Sequence, residues 1–215
     1  INRLGFNNKG LDKVVKNLDK KRDIIMGANI GKNFFTKNED AYKDYLKCLN
    51  GLNKYVDYFA INISSPNTKG LRDFHDKSLL GPFLKKLINA NNKMTKPKPM
   101  LLKISPDLDN TQLDDIIQLV MDLNIDGVIA TNTTTSRDGL VSKYKEETGG
   151  LSGMLLKEKS NLIISYLRKK LGDNFPIIGV GGVMSPQDAI EKFESGADLV
   201  NSDTLIKDIG DGKIN

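Results

Sequence analysis

The stretch PIIGVGGVMSPQDAIEKFESGADLV, Pro176 to Val200, decides the fold. It opens on a short apolar run that breaks at Gly181 and Gly182, and a helix signal follows at once. Ser185 is an N-cap residue, Pro186 fits the first helical turn, Asp188 stands three residues after the cap, and Gly196 closes the end. Another apolar run begins at Ala197. Strand, capped helix and strand in so few residues predict a parallel β/α unit.

The same alternation extends along the rest of the chain. Apolar runs of strand length occupy Asp23 to Gly31, Val56 to Ser65, Pro99 to Asp107, Asp126 to Thr134, Pro176 to Val183 and Ala197 to Thr204. They scarcely alternate with polar residues, which predicts burial on both faces. Between them lie helical stripes: Leu79, Leu80, Phe83, Leu84, Leu87 and Ile88, then Leu113, Ile116, Ile117, Val120 and Leu123. A further helix, Lys157 to Gly172, is expected to place Leu162, Ile163, Leu167 and Leu171 on one side and to end at Gly172 in a left-handed C-cap.

Every predicted strand finishes in polar or glycine residues: Asn29, Asn62 with Ser64 and Ser65, Lys103, Asn132 with Thr133, Gly181 with Gly182, and Thr204. In a (β/α)8 barrel all C-terminal strand ends converge on one ligand site, whereas an open doubly wound sheet binds at its switch point. Polar ends on all six strands favour an α/β TIM-type barrel. A closed barrel needs eight strands, so either residues outside this chain complete it or the chain is an incomplete piece. No linker or low-complexity segment divides residues 1–215, which are read as one partial-barrel domain.

Composition narrows the chemistry. The 215 residues are 39% hydrophobic and 27% charged, enough for one sizeable core. The net charge of +5 comes from scattered lysines with no basic stripe, so nucleic acid is not an expected partner. One cysteine, Cys48, and one histidine, His75, exclude an intramolecular disulfide and a Cys- or multi-His-based metal site. Cys48 is expected to be structural on a helix and His75 to be a surface residue. No apolar run is long enough to span a membrane, the start of the chain lacks the regions of a signal peptide, and a soluble domain is expected.

Asn2, Asn29, Asn62, Asn67 and Asn132 stand at or beside strand ends, where paired donor and acceptor groups suit a planar ligand rich in amides or ring nitrogens. Lys103 sits inside the apolar run MLLKISPD, where a cation is expected to face an anionic group or stabilise charge formed in a reaction. The glycines of GVGGV either let backbone N–H groups approach a phosphate, as barrels do after their last strands, or simply form a tight turn, and GGLSG, Gly149 to Gly153, offers a second small-residue loop to sit beside it. Ser65 follows a strand in NISSPNTKGLR, but no GxSxG elbow surrounds it, so a Ser-His-Asp hydrolase is not expected.

These segments resemble the class 2 dihydroorotate dehydrogenases, the FMN-dependent, quinone-linked enzymes of pyrimidine (UMP) biosynthesis. The matching pieces are INRLGFNNKG (Ile1 to Gly10), GANIGKN (Gly27 to Asn33), DYFAINISSPNTKGLR (Asp57 to Arg72), LLKISPDL (Leu101 to Leu108), GVIATNTTTSR (Gly127 to Arg137), TGGLSG (Thr148 to Gly153) and the opening stretch to Val200. Class 1 enzymes carry Cys where this chain has Ser65.

The resemblance implies that Ser65 is the base removing the C5 proton of dihydroorotate while C6 gives hydride to flavin N5. It implies that Asn2, Arg3, Leu4, Gly5, Phe6, Asn62, Asn67, Asn132 and Thr133 bind orotate. It implies that Asn29, Asn62, Lys103, Thr131, Ser152, Gly153, Gly181, Gly182 and Thr204 hold FMN. A quinone takes the electrons, at the mitochondrial inner membrane or the bacterial cytoplasmic membrane, reached through segments absent from this chain.

Two departures stand out: the family's QLYT after Val200 is here Asn201, Ser202, Asp203 and Thr204, and Leu4 replaces a frequent aromatic. Asp203 is expected to bring a carboxylate towards the flavin phosphate, unfavourable unless neutralised. The competing expectations are an inactive partial-barrel fragment or a subunit that needs another chain for activity, and a different phosphate-binding barrel enzyme such as an isomerase.

Overall fold

The computed structural model describes residues 1–18 and 23–201. Six strands, β1 (Gly27–Ile30), β2 (Tyr58–Asn62), β3 (Met100–Ile104), β4 (Gly127–Ala130), β5 (Ile177–Val180) and β6 (Leu199–Asn201), form one sheet in the order β1-β2-β3-β4-β5-β6. Every neighbouring pair is parallel. Sequential order without reversal is the winding of a barrel, because a doubly wound sheet must turn back at its switch point. All six strands fall inside the six apolar runs, but each is shorter than its run. In the first, Ile24 and Ile25 precede the strand and are exposed.

Helices α1 (Leu11–Leu18), α2 (Ala41–Leu52), α3 (Lys77–Asn92), α4 (Asn110–Asp122), α5 (Lys157–Leu171) and α6 (Pro186–Glu194) alternate with the strands. Phe59, Ile61, Leu102, Ile104, Val128, Ala130 and Ile177 point outward from the sheet and pack against helix residues such as Tyr45, Leu84, Ile116 and Ile164. The alternate residues Ala60, Leu101, Ile129 and Ile178 form a second, smaller cluster on the inner face. Both faces of β2 to β5 are therefore buried, which explains their unalternated sequence runs, whereas β1 and β6 at the sheet margins are largely exposed, against the expectation for their runs.

Helix starts follow local rules. The Ser185 side chain accepts from the Asp188 backbone N–H at 3.2 Å and donates to its carboxylate at 2.9 Å, with Pro186 in the first turn of α6. On α5 the inward face is Ile163, Ile164 and Leu167, while Leu162 turns to solvent. The apolar residues there form a broad band, and its centre is set by the sheet beneath. Gly172 ends α5 with φ 79° and ψ 172°, a positive-φ extended conformation in place of the expected left-handed one.

Candidate functional site

Side chains alternate across a strand, so the residues two positions beyond the inner cluster share its face at the C-terminal strand ends. From Ala60, Leu101 and Ile129 this step leads to Asn62, Lys103 and Thr131. Asn62 and Lys103 are register partners across β2 and β3. The three line a cavity of about 410 Å³ together with Asn2, Gly5, Phe6, Asn29, Ser65, Asn67, Asn132, Thr133, Ser152, Gly153, Gly181 and Gly182. Fifteen strand-end, loop and opening-segment residues expected at a site thus meet in one place, drawn from the length of the chain.

Two expected residues among those described do not line it. Arg3 is turned away, its guanidinium 2.7 Å from Glu147. Leu4 is 67% exposed. Thr204, like Asp203, lies outside the described residues. Leu156, Val180, Val183, Met184 and Asn201 complete the wall and were not anticipated. Apolar wall residues carry no chemical signal in a sequence and are found only by following the strand and loop that place them.

Ser65 is 9% exposed, and its Oγ accepts from the Asn67 backbone N–H at 3.3 Å. The Asn67 side chain donates to the Asn2 carbonyl at 3.2 Å, and Asn2 in turn exchanges backbone hydrogen bonds with Gly150 at 2.9 and 2.8 Å. The opening segment is therefore stitched to the loop after β2 and to the glycine loop before α5. Deeper down, Asn132 Nδ2 donates to Asn62 Oδ1 at 3.2 Å and to Ser64 Oγ at 3.0 Å, and Ser64 Oγ donates to the Lys103 carbonyl at 2.8 Å. Tyr45 donates from α2 to the Asn62 carbonyl at 2.6 Å. Burial pushes that phenol far above its ordinary range, so it stays protonated and remains a donor.

Thr131 Oγ1 is buried at the cavity without a hydrogen-bond partner among the described residues. At the far side Gly181 and Gly182 have φ of 114° and 70°, and a Cβ on Gly182 would lie 2.5 Å from Lys157 Cα. Bare backbone at this turn is a structural requirement. An orphaned buried hydroxyl, a cation from Lys103 and a glycine cradle beside the N-terminus of α6 fit a planar polar group that carries a phosphate.

Behind the cavity Arg72, Asp107 and Lys159 form a charged cluster that sequence reading missed, because its members lie far apart in the chain. His75, expected at the surface, is partly buried beside it, and its Nε2 has no partner among the described residues. Cys48 is half-buried against the helix-side core, and burial raises its thiol pKa, consistent with a structural role. Among the described residues no group of His, Cys, Asp and Glu could hold a metal ion.

A sequentially wound parallel β/α sheet with its polar cavity at the C-terminal strand ends belongs to the class of (β/α) barrel proteins. A family model described as dihydroorotate dehydrogenase matches residues 1–210, and the chain belongs to that family. A dihydroorotate dehydrogenase (quinone) of Christiangramia forsetii is 49% identical over 97% of this chain and 64% of its own length. The protein of the same name from Delftia acidovorans is 44% identical over 93% of this chain and 61% of its own. The crystal structure of ligand-free type DHODH from Eimeria tenella superposes with a TM-score of 0.88 at 34% identity, covering 98% of this chain and 65% of that one. The chain thus spans about three fifths of the length of the curated relatives it matches. Membership of this family implies a flavin cofactor. No helix among the described residues is long and apolar enough to cross a membrane.

Proposed function

We propose that these 215 residues carry the dihydroorotate and FMN sites of a class 2 dihydroorotate dehydrogenase, whose oxidation of dihydroorotate to orotate passes electrons to a quinone. The observation that carries this reading is the shared cavity, where Ser65, the Asn2, Asn62, Asn67 and Asn132 amides, Lys103 and the Gly181–Gly182 turn all meet. The names of the relatives support the quinone, which would be met at the mitochondrial inner membrane or the bacterial cytoplasmic membrane.

Asn29, Asn62, Lys103 and Thr131 would hold the flavin ring side, and Ser152, Gly153, Gly181 and Gly182 its phosphate. FMN would supply the acceptor for the hydride that leaves the substrate. Asn2, Asn67, Asn132 and Thr133 would orient the substrate's ring amides and carboxylate. Ser65 would take the C5 proton. A neutral hydroxyl is a weak base, so its surroundings must favour the oxygen's negative form. The Asn67 N–H donates to that oxygen, which does this directly and works against the burial that disfavours charge there. Thr68, buried in the same loop, would pass the proton on through a water. Lys103 would balance negative charge that builds on the ring system.

The test is to titrate the chain with FMN by visible absorption and then add dihydroorotate without oxygen. The flavin is expected to bind and bleach. Ser65→Ala should keep FMN binding and slow bleaching by about 10²–10⁴-fold, the usual worth of a general base. Wild-type bleaching in that variant overturns the base assignment, and a chain that never binds FMN overturns the claim that these residues suffice.

A further inference from the structure

Arg72 follows the loop that carries Ser65 but does not line the cavity. Its Nε donates to the Ser64 carbonyl at 3.2 Å, its Nη2 to the Thr133 carbonyl at 3.1 Å, and its Nη1 to Asp107 Oδ2 at 2.8 Å. Ser64 lies in the loop after β2, Asp107 in the loop after β3 and Thr133 in the loop after β4. One planar fork therefore spans three consecutive strand ends, and the Ser64 carbonyl belongs to the same peptide as the Ser65 nitrogen.

We propose that Arg72 is a positioning residue that fixes the Ser65 loop against the Asn132–Thr133 loop, and that Asp107 holds its guanidinium in register. The proposal rests on the reading that Ser65 and the Asn132–Thr133 pair face one substrate. Asp107 is occupied on both oxygens: Lys159 donates to Oδ1 at 2.8 Å and the Thr135 backbone N–H to Oδ2 at 2.8 Å, with the Thr134 hydroxyl also on Oδ1. Burial disfavours charge on this carboxyl, but the Lys159, Thr134, Thr135 and Arg72 donors outweigh it and hold the group well below the usual carboxylate range. A permanently ionised Asp107 is a fixed anchor. Lys159 belongs to α5, so the anchor also ties in the helix that follows the Ser152–Gly153 turn.

A lysine cannot reproduce this, because a single ammonium on a flexible stem lacks the fork that meets two carbonyls and a carboxylate in one plane. The consequence is geometric: a displacement of the base by about 1 Å is enough to cost on the order of 10²-fold in rate.

The test compares wild type, Arg72→Gln, Arg72→Lys and Ser65→Ala in the FMN-loaded chain. It reads FMN affinity, orotate affinity by calorimetry and the flavin reduction rate at saturating dihydroorotate. Arg72→Gln should leave FMN binding within about threefold, weaken orotate about tenfold and slow saturated reduction about 10²-fold, with Arg72→Lys close to Gln. Orotate affinity and saturated rate both within twofold of wild type would overturn the proposal, as would a loss confined to FMN binding and thermal stability. Ser65→Ala separates the two readings: if it reduces flavin normally the base assignment fails, while the Arg72 effect on orotate affinity stands or falls independently. A second measurement needs no ligand. Amide hydrogen exchange should quicken together at residues 64–68 and 131–135 in Arg72→Gln, and a change in neither or only one loop overturns the coupling.

Discussion

At Gly182 the cavity has no room for a side chain. Its φ of 70° strains any L-residue, and the nearest atoms to an added Cβ are the Lys157 backbone at 2.5 Å and 2.6 Å. Gly182→Ala is expected to cost roughly 1–3 kcal/mol of stability and to weaken FMN more than riboflavin, since only FMN carries the phosphate this turn would meet. Equal loss for the two flavins would show that the turn is not a phosphate cradle. His75 offers a different handle. Burial first and the Arg72 charge second push its pKa down to about 4, with Asp107 and Asp73 only partly compensating. The unfolded chain, titrating near the ordinary value of 6.5, binds more protons between those limits. This contribution to stability is therefore present above pH 6.5 and lost as pH falls through about 4. Urea midpoints measured across that window should slope downward towards acid in wild type and less steeply in His75→Leu; equal slopes would place the acid sensitivity elsewhere.

Single elements show where sequence reading succeeds. Asp109 caps α4 by accepting from the Gln112 N–H at 2.8 Å, while the Gln112 side chain accepts from the Asp109 N–H at 3.1 Å. Asp109→Ala removes the reciprocal pair at an exposed helix end, and a melting experiment should register about 1 kcal/mol of lost stability with the cavity unaffected. Such caps are written in residues three apart: the Ser185–Asp188 pair of α6 is read from the sequence, and the Asp109–Gln112 pair is not. The six strands are legible as apolar runs of strand length, and Asn62 and Lys103 stand out as polar residues at strand ends, whereas Thr131 is named only through the family resemblance. What stayed hidden depends on chain segments that meet only after folding. Arg72 finds Thr133 across an intervening strand, and His75 is covered because Phe74 beside it is buried in the core. Its polar neighbours in DFHDK gave the opposite impression. Arg3 and Leu4 failed differently: a short segment stitched down at Asn2 cannot aim every consecutive side chain into one cavity.

On the scale of the whole molecule, the sheet's two margins set the solution behaviour of the 215-residue polypeptide. Among the described residues β1 pairs only with β2, and β6 only with β5. A parallel strand with one unpaired side offers a row of backbone donors and acceptors to any other chain. Around β1 the apolar cover is thin: Ile25 is 82% and Phe35 93% exposed, with Ile24 and Phe34 also largely open. Apolar surface next to an unpaired strand edge favours association, and a net charge of +5 spread over the chain gives only weak repulsion against it. The polypeptide made alone is therefore expected to self-associate, with a sedimentation coefficient that rises with concentration. Ile25→Lys combined with Phe35→Lys should shift that distribution towards monomer, because both side chains are already in water and a charge there opposes edge pairing without disturbing the core. A wild-type chain that sediments as one concentration-independent monomer would show that the edges are covered by its own residues.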